Sequence, residues 1–173
     1  MLNRRDAFRG LALTMGMVSV GFAGPVAAAL PTLAWTPAAL DAEQARALDA
    51  AAELIVPKTD TPGAREAKVP QFVDRAVATY LDKPQAELLK TGLSQMNADA
   101  RAAHGKAFAE LSSAQQTALL SRYDQEAAAA RKAWKPRHFF SLLKEYVTIG
   151  YFTSEPGATL ALRYEPAPGE YHG

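Results

Sequence analysis

An all-α fold is predicted by three observations. Apolar residues recur at helical spacing in five separate windows, each window opens on a capping residue or a proline, and sustained strand-type alternation is absent. The 173-residue chain divides into a leader, residues 1–29, and a single small helical domain, residues 30–173, of five or six helices with an extended Pro/Tyr-rich C-terminal tail. The domain part is 144 residues long, a usual size for one hydrophobic core. Neither an internal repeat nor a low-complexity tract interrupts it.

The first element stands outside the domain. Arg4 and Arg5 precede an uncharged stretch from Leu11 to Gly24, and Ala27-Ala28-Ala29 follows it. Basic start, apolar middle and small-residue cleavage site are the three parts of an export signal. In Asn3-Arg4-Arg5-Asp6-Ala7-Phe8-Arg9 the paired arginines, Phe8 and Arg9 fit the twin-arginine pattern, and Ala7 stands where a bulkier residue is usual. Gly16, Gly21, Gly24, Thr14 and Ser19 keep the apolar stretch mild, as that route prefers. The run is shorter than the ~20 residues that span a bilayer. Cleavage after Ala29, with Ala27 as the second small residue, and a periplasmic destination are expected. Twin-arginine export moves folded proteins and typically serves those loaded with a cofactor in the cytoplasm. The remaining chain has no cofactor motif, so the cofactor is expected in a partner that travels with it.

Asp41, with Gln44 three residues on, opens the first helix, which runs through Ala45, Leu48, Ala52 and Ile55 until Pro57 stops it. The second begins near Pro70, where a missing N–H costs nothing, and carries the rows Phe72, Ala76, Tyr80 and Val73, Val77, Leu81. Asp82-Lys83-Pro84 restarts the chain into a third helix marked by Leu88, Leu89, Leu93 and Met96, fading near His104-Gly105. Ser112 and Gln115 form another capping-box pair, ahead of Ala118, Leu119 and Tyr123, and Ala127 to Ala130 extend that helix by propensity. Pro136 is read as the start of a helix bearing Phe139, Phe140, Leu143, Tyr146, Val147 and Gly150, with a short helix from about Pro156 to Leu162. Prolines and glycine then rule out regular structure across Arg163 to Gly169.

Two non-helical segments stand out. In Lys58-Thr59-Asp60-Thr61-Pro62-Gly63, Asp60 or Thr61 can bond local backbone and Pro62-Gly63 fits a tight turn. The second is the tail. Eight of the fifteen aromatics fall between Trp134 and Tyr171, and Tyr164 and Tyr171 lie where no helix buries them. Such a tail covers a surface, either of its own domain or of a partner.

These segments carry a family resemblance. Pro57 to Ala64, Val69-Pro70-Gln71-Phe72-Val73-Asp74, Gly150 to Ala158 and Leu162 to Gly173 resemble the small subunit of gluconate 2-dehydrogenase, and the likeness spans essentially the whole domain. The resemblance implies a non-catalytic subunit of a periplasmic, membrane-associated sugar or sugar-acid dehydrogenase. In such complexes a large catalytic subunit of the glucose–methanol–choline type holds FAD, and a cytochrome c subunit with c-type haem commonly takes the electrons onward. Small subunits of glucoside 3-dehydrogenases belong to the same family, and members commonly carry the export signal for a flavoprotein that lacks one. The partner interface is expected at Tyr151, Phe152, Arg163, Tyr164, Pro166, Pro168 and Tyr171, with Asp60, Thr61, Pro62 and Gly63 nearby. Tyr and Arg are frequent interface anchors, and proline limits the entropy lost on docking. The alternative is that Arg163 and Tyr164 close the bundle, pairing with Glu155 or Glu165.

Composition removes several other functions. There is no cysteine, which excludes disulfides, thiolate metal sites and covalently attached haem on this chain. The net charge is +1, of which the leader's Arg4, Arg5 and Arg9 against Asp6 supply +2, leaving −1 on the domain. Such a balance does not suit nucleic acid. His104, His138 and His172 are far apart, no serine sits in a nucleophile elbow, and Gly150 and Gly157 are too isolated to cradle a dinucleotide. Asp74 and Glu145 are read as carboxylates on solvated helix faces. No catalytic, cofactor-binding or metal residue is therefore assigned, and the alternative to an accessory subunit is a stand-alone periplasmic helical binding module.

Overall fold

A computed structural model describes residues 33–162. Five α-helices are present: α1 (Ala42–Ile55), α2 (Val69–Thr79), α3 (Lys83–His104), α4 (Ser113–Lys132) and α5 (Phe139–Phe152). A 3₁₀ turn at Phe108–Glu110 and a π-helical turn at Gly157–Ala161 complete the described elements, with no strand among them.

The helix starts follow from side-chain chemistry. Asp41 accepts from the amides of Glu43 and Gln44 while Gln44 returns a bond to the Asp41 amide, a full capping box. Asp82 accepts from the Gln85 amide at 2.8 Å, and Ser112 with Gln115 repeats the box at α4. At the end of α3, Gly105 takes φ 71° and lets its N–H reach the Arg101 carbonyl.

Helix α5 is the centre of the bundle and touches each of the other four. Phe139, Phe140, Leu142, Leu143, Val147, Gly150 and Tyr151 are buried, so it is enclosed on most of its circumference. Around it, Leu48, Val69, Val73, Leu89, Leu93 and Met96 from α1, α2 and α3 complete one continuous core. Helix α4 contributes a narrow seam, Gln116, Leu120, Tyr123 and Ala127, at the three- and four-residue spacing of a packed face. The α3–α5 crossing is close. A β-carbon on Gly92 would lie 2.1 Å from Phe139 Cγ, so only glycine lets the phenyl ring lie on the α3 backbone.

Several expectations are corrected. Helix α5 begins at Phe139, three residues beyond Pro136, because the His138 ring caps it by accepting from the Phe140 amide at 3.2 Å. Helix α2 ends at Thr79, leaving Tyr80 exposed rather than in an apolar row. In α4, Ala118 is exposed and Leu120 takes the buried place. Asp74 is not on a solvated face. It is 3% exposed and accepts from the amides of Ala38, Ala39 and Leu40 at 2.6, 3.1 and 3.0 Å, fastening the segment before α1 to α2. Glu145 is exposed as expected and pairs with Arg137.

Candidate functional site

The Thr59–Gly63 turn and the end of α5 form one piece of surface. Within the turn, the Thr59 amide donates to the Thr61 carbonyl at 3.0 Å and the Thr59 hydroxyl donates to Asp60 at 2.9 Å. Gly63 is buried where a β-carbon would fall 2.7 Å from the Lys58 amide nitrogen, so the turn closes tightly on itself. Tyr151 reaches across to it. Its hydroxyl donates to the Pro62 carbonyl at 2.9 Å and lies 3.3 Å from Thr61 Oγ1. The structure thus brings Thr61, Pro62 and Tyr151 together and holds Asp60 and Gly63 beside them.

Tyr151 does not have the place expected of an interface anchor. It is 3% exposed, and its ring and hydroxyl are used inside the domain, bracing the turn from below. Phe152, edge-on to Tyr151 with ring centroids 5.3 Å apart, is 41% exposed and is the aromatic this surface offers to solvent.

Beyond α5 the chain turns back at once. Ser154 donates to the Tyr151 carbonyl at 2.6 Å, and a β-carbon on Gly157 would lie 1.8 Å from that same carbonyl oxygen. Glycine at 157 is therefore what lets the π-turn lie against the end of α5. The turn exposes Leu160, at 63%, together with Leu162. Arg163, Tyr164, Pro166, Pro168 and Tyr171 lie outside the described residues, as do Arg4, Arg5, Phe8, Ala27 and Ala29.

A second polar cluster was missed by sequence reading. Asp99 on α3 accepts from the Tyr123 hydroxyl at 2.6 Å, from Gln95 at 2.6 Å and from the Arg122 guanidinium. Burial pushes the Asp99 carboxyl up, but hydrogen bonds from Tyr123, Gln95 and Arg122 outweigh it and hold the group below the usual carboxylate range. Burial, reinforced by the Asp99 carboxylate, pushes the Tyr123 phenol well above its ordinary value. Two further polar residues clamp the 3₁₀ turn: Asn97 Oδ1 accepts from the Phe108 amide at 3.1 Å, and Gln116 donates to the Phe108 carbonyl at 2.9 Å. The only available signal for these was the placement of polar residues on helix faces that otherwise read as apolar.

The two described histidines serve the scaffold. His104 lies 3.3 Å from Gln115 at the start of α4, and His138 caps α5. Among the described residues no group of three His, Cys, Asp or Glu is placed to hold a metal ion. No described helix is long and apolar enough to cross a membrane.

As a class, fold and surfaces define a small all-α domain whose polar side chains cap helices at the surface and, where buried, clamp loops. The family model described as gluconate 2-dehydrogenase subunit 3 matches residues 42–169, from the first residue of α1 into the tail. The chain belongs to that family, whose members are by name subunits of a dehydrogenase complex. No curated protein and no solved structure matches the chain.

Proposed function

We propose that this chain is the non-catalytic accessory subunit of a periplasmic, FAD-dependent sugar or sugar-acid dehydrogenase of the glucose–methanol–choline type. It supplies the twin-arginine export signal and stabilises the catalytic subunit. The observation that carries the reading is the pairing of a family match over residues 42–169 with an Arg4-Arg5 leader on a chain lacking any glycine-rich phosphate loop. A folded, cofactor-loaded passenger explains why a chain of this kind takes that route. FAD belongs to the large subunit, and a cytochrome c subunit with c-type haem receives the electrons, which ties the complex to the inner membrane.

The face toward the catalytic subunit is assigned to Phe152, Leu160, Leu162 and the tail that follows. Exposed apolar side chains on a short turn and at a helix end are what a partner surface would cover. The braced Asp60–Gly63 turn borders that face, and Tyr151 supports it from inside. Replacing both Arg4 and Arg5 with Lys tests the export role. Dehydrogenase activity should move from the periplasmic to the cytoplasmic fraction, and normal periplasmic activity in the double variant would refute it.

A further inference from the structure

The α4–α5 connection holds a residue that packing does not explain. Helix α4 ends in a Schellman-type closure, with the Lys135 amide donating to the Ala130 carbonyl at 3.0 Å and the Trp134 amide to the Arg131 carbonyl at 3.2 Å. The residue in the left-handed position is Trp134, at φ 53°. That position favours glycine because a β-carbon is strained there, and the chain does use glycine for the same task at the end of α3. Trp134 is moreover 95% exposed, so burial gives nothing back to the fold. A strained, fully exposed indole points to use rather than stability.

Its surroundings are cationic. From Ala127 to His138 there is no carboxylate, while Arg131, Lys132, Lys135 and Arg137 fall within those positions. Arg137 is paired with Glu145 and His138 lies 3.6 Å from Glu126, while Asp124 is taken by Lys144. Arg131, Lys132 and Lys135 make no ion pair among the described residues. Arg131, Trp134 and Lys135 border one cleft of about 710 Å³, so free cations and indole share a face.

We propose that the Trp134 loop is a peripheral contact for a bilayer containing anionic phospholipid. The indole sits at the headgroup level, where tryptophan is favoured, and Arg131, Lys132 and Lys135 meet lipid phosphates. Lipid is favoured over a protein partner because three cations, unpaired among the described residues, surround one fully exposed indole, and the carboxylate that lines the cleft, Glu145, is already taken by Arg137. A fluid anionic surface can satisfy loose cations around one aromatic, whereas a protein would have to supply a matching pocket. The contact is peripheral, since no described helix crosses a membrane. The loop lies at the opposite end of α5 from Tyr151 and the Pro62 turn, about 20 Å away for a 14-residue helix, which leaves that end free. The inference is independent of the function proposed above.

The test uses the full chain with Trp35→Phe, which leaves Trp134 as the single tryptophan of two. The Trp35 indole nitrogen makes no hydrogen bond among the described residues, so none is lost. Trp134 emission should shift to the blue with phosphatidylglycerol-containing vesicles, not with pure phosphatidylcholine, and the shift should weaken with salt. In the parent chain, Trp134→Ala should reduce co-sedimentation with the same vesicles. Changing Arg131, Lys132 and Lys135 to Glu should weaken binding at least about 100-fold, from roughly fivefold per cation lost. Both variants should keep the parental thermal melt. The apolar leader could bind vesicles by itself, but it cannot shift Trp134 emission and would bind equally in every variant. Absence of a blue shift in the Trp35→Phe chain, or an undiminished shift when the three Glu changes are added to it, overturns the proposal. A shift produced by the dehydrogenase partner and not by vesicles also overturns it, and makes the loop a protein-docking site. If Trp35→Phe fails to fold, co-sedimentation of Trp134→Ala against the parent decides.

Discussion

Tyr123 and Asp99 show how one hydrogen bond makes a helical domain sensitive to pH at both extremes. Tyr123 is buried against Phe139 in an edge-on contact with centroids 5.0 Å apart, and its hydroxyl points at a carboxylate. Burial disfavours the ionised phenol, and ionising it would also place two negative oxygens 2.6 Å apart, which is why its folded pKa lies above the ordinary 10.0. A pKa raised by folding gives stability that is fully present below the unfolded value and is lost as pH rises beyond it. Asp99 has the opposite sign: held below the ordinary 3.8, it contributes above that value and loses its contribution as pH falls through the folded pKa. Tyr123→Phe should therefore cost about 1.5–3 kcal/mol at neutral pH, the net worth of one bond to a charged group. The gap between parent and variant should narrow above about pH 10, where the unfolded phenol ionises. Thermal melts of both proteins across that range measure it, and a constant gap would remove the account.

At the level of helices, the bundle rests on a few polar fasteners between elements distant in sequence. The three amides held by Asp74 belong to a stretch 34 to 36 residues earlier in the chain. Asp74→Ala would leave those buried or part-buried donors without a partner and free the segment before α1. Hydrogen bonds to a charged group are each worth about 1.5–3 kcal/mol, so a loss of about 3 kcal/mol or more is expected in chemical denaturation. Asp74→Asn, which keeps an acceptor oxygen, should lose less, and equal losses for the two would show that the carboxylate bonds are not the fastener.

This is also where sequence reading reached its limit. Helix starts were legible because caps act within three residues, Asp41 with Gln44 and Ser112 with Gln115, and because Asp82-Lys83-Pro84 marks a break and restart. The buried α5 core was legible from its apolar run, and the Thr61-Pro62 turn from its residue types. Asp74, Asn97, Gln116 and Asp99 were not, since a polar residue on a helix reads as solvated until its distant partner is known. The later start of α5 was hidden because the cap is a histidine and the residue in the left-handed position is a tryptophan. Ala118 and Leu120 exchanged places because Leu119 also packs on the core, so neighbouring rows of α4 look alike in sequence.

For the whole molecule, the central question is whether the tail is part of the fold or part of an assembly. Helix α5 is enclosed on most of its circumference by α1 to α4, and among the described residues the core is continuous up to Tyr151. Deleting Arg163 to Gly173 should thus leave a helical domain that melts cooperatively, within about 1 kcal/mol of the parent as for surface changes. It should nevertheless lose co-purification with the catalytic subunit. A collapsed domain would mean that the tail closes the bundle, and retained co-purification would place the interface elsewhere.

The bond from Tyr151 to the Pro62 carbonyl joins positions 89 apart. During synthesis the first four helices and their loops emerge with the Asp60–Gly63 turn still unbraced, because its support comes from α5. Contacts of such separation form late, after the local ones. The surface made by this turn and the end of α5 therefore exists only once α5 has packed against the helices that precede it. A binding partner that reads it is, by that fact alone, a check on completed folding.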